Sequence, residues 1–185
     1  MTTLAQPLPR TGLVAACSAI AGAVALLAAI GAVHLANAGH KSSGSARVFA
    51  APGFQIAVPD GWSALRGETL ARVPGSPAAV LRRADGHGVV IVRRTGALSG
   101  DLRKVAGGLT ARLKATVPGF RLVSARLGSV RAGGAFLYTF VTGSSAESLA
   151  VTRIGGTTYR IDSVVPAGSA DAARQAGAIA ASFGP

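Results

Sequence analysis

His87 and Asp85 are the residues whose types and spacing come closest to a catalytic pair. A carboxylate two residues from an imidazole can orient the ring as a general base, which then needs a nucleophile within reach. No serine or cysteine stands near His87 in a nucleophile-elbow pattern, and one histidine with one aspartate supplies too few metal ligands. The pattern therefore predicts an exposed turn, and a hydrolase that uses His87 with Asp85 is kept as an alternative.

The other carboxylates form no acid–base couple. Several fall at predicted turns or helix starts, where capping accounts for them: Asp60, Asp85, Asp101 and Asp171. Arg160 and Asp162 are two apart on one predicted strand and share a face, which indicates a surface ion pair. The glycine-rich points lack the lysine and the strand–loop–helix context of a phosphate loop. We predict no catalytic, cofactor-binding or metal-binding residue, no cofactor, and no enzymatic activity.

A net charge of +12, with 16 arginines against 3 lysines, is the strongest compositional signal. It favours an acidic partner, which means an acidic protein, an anionic lipid, an envelope polymer or a nucleic acid. Few aromatic residues are available for base stacking, which disfavours nucleic acid. Arginines spread over a solvated surface by compositional bias are the alternative. The candidate partner-binding residues are arginines on predicted strands: Arg82, Arg83, Arg93, Arg94, Arg121 and Arg126.

A predicted β-hairpin positions the first four of these arginines. Its strands, residues 78–83 and 89–94, each end in Arg-Arg and are separated by a glycine-rich turn. Each pair gives one arginine to each face of the sheet because side chains alternate along a strand. At about 3.3 Å per residue, the two pairs lie roughly 15 Å apart. We therefore expect no single tight anion pocket.

Strands and two helices account for the rest of the domain. Residues 47–58 predict the first strand, which Pro59 ends, and a loop with one short helical turn follows. Apolar spacing predicts a helix over residues 101–117, and a last helix starts at Ser169. A meander of four strands lies between them, over residues 120–130, 135–142, 147–154 and 157–165. The predicted core residues are Phe54, Ile56, Val58, Trp62, Leu109, Leu113, Phe140 and Phe183.

The N-terminal part predicts a membrane segment. Residues 13–33 are 21 uncharged residues, enough to cross about 30 Å of hydrocarbon as a helix. Arg10 precedes them, which places the N-terminus in the cytoplasm. Ala36-Asn37-Ala38 matches a signal-peptidase site, so secretion after cleavage at Ala38–Gly39 is the alternative. The charge difference across the segment is small, and an inverted, cytoplasmic domain remains open.

Cys17 is the only cysteine, so the domain has neither a disulfide nor a thiolate site. Cys17 lies near the start of the apolar run, whereas the cysteine at which bacterial lipoproteins are lipidated lies at the end of theirs. We therefore assign Cys17 to the membrane helix. Small polar residues follow the run and predict a flexible tether. The predicted organisation is a leader (1–12), a transmembrane or signal segment (13–36), a linker (37–47) and a folded domain (48–185).

The pattern Gly53-Phe-x-Ile-x-Val-Pro-x-Gly-Trp62, followed by a hairpin, a long helix, a meander and a closing helix, resembles the PsbP-like superfamily. Bacterial envelope members of the LpqN and DcrB type are the groups it points to. The resemblance covers residues 47–184 and implies an α+β fold, which we place in two layers: an antiparallel sheet of about six or seven strands with two packed helices. It also implies a non-catalytic binding or assembly role, with no shared catalytic residues to carry over.

These expectations combine into one functional hypothesis. The chain is a single-pass membrane protein anchored through residues 13–33. Its extracytoplasmic domain binds an acidic protein, an anionic lipid or an envelope polymer, and export of the domain disfavours nucleic acid as the partner. A basic nucleic-acid-binding domain that faces the cytoplasm is the first alternative, and the His87/Asp85 hydrolase is the second.

Overall fold

The computed structural model describes residues 47–95 and 102–185. The predicted membrane segment, Cys17 and the tether lie outside these residues, as does Asp101. Within them, no helix is both long enough and apolar enough to cross a membrane.

The described residues form an α+β domain whose main sheet has seven strands, all antiparallel to their neighbours, in the order β3-β4-β5-β9-β8-β7-β6. A two-stranded sheet, β1-β2, packs on it. The strands are β1 Arg47–Ala51, β2 Phe54–Val58, β3 Trp62–Ala64, β4 Ala79–Arg83, β5 Val89–Thr95, β6 Phe120–Val130, β7 Gly133–Thr142, β8 Ser145–Ile154 and β9 Thr157–Pro166. The helices are α1 Gly67–Ala71, α2 Leu102–Thr116 and α3 Ala170–Ala181. The hairpin β4-β5, helix α2 and the β6–β9 meander match the predicted elements closely.

The first predicted strand is wrong in one respect, because residues 47–58 form a hairpin and not a single strand. The chain turns at Pro52-Gly53, where Gly53 has a φ of +89°. A Cβ at this glycine would lie 3.0 Å from the Tyr159 hydroxyl, so both the backbone angle and the space require glycine. The turn brings Phe54 into ring contact with Phe183 at 5.0 Å and with Tyr159 at 5.6 Å.

Helix α3 and the β1-β2 hairpin cover one face of the main sheet. Ser169 caps α3 by accepting a hydrogen bond from the main-chain N–H of Ala172. Trp62 is buried under this layer, and its indole N–H donates to Gln175 Oε1 at 2.7 Å. Most of the predicted core lies in this cluster, including Ile56, Val58 and Phe183.

Helices α1 and α2 cover the opposite face, so the domain has three layers instead of the predicted two. Leu113 of α2 is buried against the aromatic row Phe136, Tyr138 and Phe140 of β7, and Leu109 is partly buried there. The segment that includes α1 covers a second apolar cluster of β4, β5 and β9, formed by Val73, Val80, Val89, Ile91 and Val164.

A buried cluster of charges lies on this same face, on β5 and β9. Arg93 Nη1 donates to Asp162 Oδ2 at 3.0 Å, and Arg160 Nε donates to the same oxygen at 2.9 Å. All three residues are less than 10% exposed, so the predicted surface ion pair between Arg160 and Asp162 is wrong. The physical reason is topological: β9 becomes the middle strand of seven and is covered on both faces.

The electrostatics of the cluster follow from its burial. Burial lowers the pKa of Arg93, Asp162 raises it, and the charge of Arg160 opposite lowers it again. Glu147 on the neighbouring strand β8 is also buried and accepts a hydrogen bond from the Thr142 hydroxyl at 2.9 Å. Burial raises the pKa of Glu147, and repulsion from Asp162 adds to the increase, whereas the Thr142 hydrogen bond opposes it.

We predict that Asp162→Asn destabilises the domain by about 3–5 kcal/mol, because it leaves two buried guanidinium groups without their shared counter-charge. Urea unfolding of the full-length chain, followed by Trp62 fluorescence, measures the change. Glu68→Gln is the control, since Glu68 pairs with Arg72 on the surface, where both side chains are at least 80% exposed. Equal unfolding midpoints for the two variants would contradict the structural role of the cluster.

A second prediction concerns pH. The raised pKa of Glu147 means that the folded state binds its proton more tightly than the unfolded state does, so this residue favours folding at low pH. This contribution to the free energy of unfolding is lost as the pH rises from the ordinary pKa of a glutamate through the raised pKa of Glu147 in the folded protein. Glu147→Gln keeps an acceptor for Thr142 and should be more stable than the parent at pH 8, with the difference shrinking toward pH 4. A difference that grows on acidification would contradict this assignment, and urea midpoints across pH measure it.

Candidate functional site

The turn between β4 and β5 contains the Asp85–His87 pair, and the structure shows what the carboxylate contacts. Asp85 Oδ1 accepts a hydrogen bond from the main-chain N–H of His87 at 2.8 Å. Asp85 Oδ2 lies 3.2 Å from Arg83 Nη1. The carboxylate therefore stabilises the turn and binds a guanidinium, and these contacts do not make it an orienting partner for the imidazole. Among residues 47–95 and 102–185, no group of three His, Cys, Asp or Glu side chains could hold a metal ion.

The structure distributes the arginines of the β4-β5 hairpin over both faces of the sheet. Arg83 binds Asp171 at the start of α3, with an Nη2–Oδ2 distance of 3.1 Å, and Arg93 lies in the buried cluster on the other face. Arg82 is half-buried, and Arg94 is exposed, with its Nη2 donating to the Pro52 carbonyl at 2.9 Å. The predicted absence of one tight anion pocket agrees with this arrangement.

The other two candidate arginines, Arg121 and Arg126, lie together on β6, an edge strand of the main sheet. Both are exposed. Arg126 pairs with Leu137 and Arg121 with Val141, so both arginines lie on the same face of the sheet, the face on which α3 packs nearer the middle strands. Of the six candidate arginines, these two are the pair that shares an exposed edge. They are therefore the best placed of the six to contact a partner.

The edge strand also carries exposed apolar side chains. Leu122, Val123 and Leu127 are 38%, 54% and 68% exposed. Among the described residues only Val48 joins them as a large exposed apolar side chain. A β-bulge at Val123 shifts the register between Leu122 and Ser124, after which β6 pairs regularly with β7 to Val130. Sequence reasoning placed this strand correctly but missed its exposure, because the alternation Arg121-Leu122 and Arg126-Leu127 does not reveal which strand becomes an edge.

A shallow groove of about 550 Å³ lies beside Leu127, where β6 and β8 end and β7 begins. Phe136 and Val151 supply apolar surface, and Arg153 and Thr158 supply polar groups. Leu127, Phe136 and Val151 are opposite one another on adjacent strands, so they form one apolar row that leads from the groove to the open edge. The arrangement suits an extended chain better than a small enclosed ligand, because a groove of this kind leaves one side open to solvent.

Charge is distributed unevenly over the described part of the domain. Its exposed or half-exposed carboxylates lie on the β3-β4 side or at the start of α3: Asp60, Glu68, Asp85 and Asp171. The two carboxylates Glu147 and Asp162 are buried. The β6–β8 side presents exposed arginines without an exposed carboxylate between them: Arg121, Arg126, Arg131 and Arg153. This side of the domain therefore has a net positive charge among its exposed side chains.

No protein-family model and no curated protein matches the sequence. The solved structures that resemble it include cyanobacterial PsbP (CyanoP) from Synechocystis sp. PCC 6803, with 15% identity, a TM-score of 0.57, and coverage of 80% of this chain and 97% of CyanoP. LpqN of Mycobacterium tuberculosis, described as involved in cell envelope biogenesis, has 15% identity, a TM-score of 0.49, and coverage of 71% and 82%. A mutant of Mog1 has 16% identity, a TM-score of 0.48, and coverage of 71% and 89%.

The likeness to CyanoP extends over nearly all of that protein and over most of this chain. At 15% identity it establishes architecture alone. The elements on which the resemblance rests, from the Gly53–Trp62 stretch to the closing helix, are all present in the structure. The chain therefore has the PsbP-like fold.

Proposed function

We propose that this protein is a non-catalytic binding module held outside the cytoplasmic membrane by residues 13–33. The observation that carries the proposal is the uncharged 21-residue run of residues 13–33, with small polar residues from Asn37 onward and then a separate basic domain. An apolar run of this length fits a membrane span, and a tether without large apolar residues lets a domain stand away from the bilayer.

The length of the tether limits where the domain can act. Residues 37–46 are ten residues, and a flexible chain of that length has an end-to-end distance of roughly 18 Å. The domain therefore works near the membrane surface, within reach of envelope proteins, anionic lipids and envelope polymers. Its acid-free β6–β8 side is the surface that would attract such a partner.

The chemistry of the described residues supports binding over catalysis. The Asp85 carboxylate is engaged by Arg83 and by the main chain, and the buried Asp162 carboxylate is engaged by both Arg93 and Arg160 in the middle of the sheet. By contrast, the exposed arginines and leucines of β6 have the composition of a contact surface. We therefore assign recognition to this strand.

A nucleic-acid-binding domain that faces the cytoplasm is the second candidate, and the net charge of +12 is the observation in its favour. This candidate requires the opposite membrane orientation. It also requires affinity to fall steeply with salt, because each neutralised phosphate releases counterions.

The test is a pair of fusions after Pro185, one to a reporter active only outside the cytoplasmic membrane and one to a reporter fluorescent only inside. We expect activity from the first and none from the second. The matched control deletes residues 13–33, and both readouts should then reverse. Fluorescence from the intact chain would overturn the proposed location and make salt-dependent nucleic-acid binding the next experiment.

A further inference from the structure

The outer side of Ser124–Val130, which we name the docking edge, is an exposed strand edge with a regular backbone. These seven residues pair in continuous register with β7, from Ser124 opposite Thr139 to Val130 opposite Gly133. No described strand pairs with their other side. Such an edge presents free N–H and C=O groups at alternate positions, which is the template that an added strand uses.

The side chains of the docking edge indicate what an added strand would carry. Leu127 points to the face of the apolar row formed with Phe136 and Val151, so a neighbouring apolar side chain would extend that row. Arg126 points to the opposite face. A strand with apolar side chains on one face and carboxylates on the other complements both, because cross-strand neighbours interact on each face separately.

The charge around the docking edge disfavours two other occupants. A second copy paired antiparallel about Leu127 would place the two Arg126 side chains on one face at diagonal positions, roughly 7–8 Å apart. The first 46 residues of the chain contain no Asp or Glu, so its own N-terminal part cannot neutralise the edge. Neither occupant supplies the missing negative charge.

Edge strands are often protected from pairing by bulges and by charged side chains. Here the bulge lies at Val123, before the regular segment, and leaves a valine 54% exposed. Leu127, in the middle of the regular segment, is 68% exposed. Protection of the edge does not explain why its most exposed side chain is apolar.

We infer that the docking edge takes an extended protein segment of alternating apolar and acidic residues, which adds as an eighth strand beside β6. The inference rests on the proposed binding role and names the class of partner. It does not depend on membrane orientation, because binding at the edge can be measured with purified protein.

The test uses the full-length chain in nanodiscs of neutral lipid and a fluorescent eight-residue peptide of alternating valine and glutamate. Fluorescence anisotropy should show saturable binding. Replacing the glutamates by lysines should weaken binding at least tenfold. N-methylating the amides of alternate residues, those along the peptide edge that would pair with β6, should also weaken binding at least tenfold. The second change keeps the charge and removes only the backbone hydrogen bonds.

Two matched variants locate the site. Leu127→Asp should weaken the peptide at least tenfold, whereas Val48→Asp should leave its affinity within twofold, since Val48 is comparably exposed but lies on β1. Thermal unfolding should show both variants folded. The inference would be overturned if the N-methylated peptide bound as tightly as the unmodified one, or if Leu127→Asp and Val48→Asp lost the same affinity. It would also be overturned if sedimentation showed a dimer of the chain that Leu127→Asp dissociates. An inside location in the fusion test would overturn the proposed function and leave this result unaffected.

Discussion

The pairing of Asp162 with both Arg93 and Arg160 is the constraint on which the sheet depends. Arg93 and Arg160 stand directly opposite each other on β5 and β9, an arrangement that repels unless a carboxylate is shared between them. A register shift of one residue would move Asp162 to the other face, among the apolar side chains packed under α3. The cluster therefore fixes how the β3–β5 hairpin half of the chain joins the β6–β9 meander.

That junction decides which strands become edges. With β9 in the middle, β8, β7 and β6 lie on one side of it and end at the β6 edge, whereas β5, β4 and β3 lie on the other side and end at the β3 edge. The exposed carboxylates stay near β3, β4 and α3, whereas the exposed leucines and a group of exposed arginines without a neighbouring exposed Asp or Glu lie on the β6 side. The polarity of the domain is thus a product of topology, since the same residues in another strand order would not form one acid-free surface.

Local sequence signals were enough to predict most of the elements. The helix predicted over residues 101–117 and the meander follow from apolar spacing and glycine turns, and Ser169 precedes the last helix as the sequence predicts. The sequence does not reveal the turn at Pro52-Gly53, because apolar and polar residues alternate regularly in the strand that follows. The burial of Arg160 with Asp162 and the exposure of β6 could not be predicted, because both depend on strand order and not on spacing within a strand.

Thiol labelling in intact cells tests the central claim most directly. A Cys17→Ser chain carries one new cysteine, either Ala125→Cys in the docking edge or Thr69→Cys on α1, both at exposed positions. A membrane-impermeant maleimide should label position 69 fully in intact cells. It should label position 125 several-fold less in cells than in the purified protein, because the proposed partner would cover the docking edge outside the membrane. Labelling of neither position until the membrane is permeabilised, or equal labelling of both, would contradict the account.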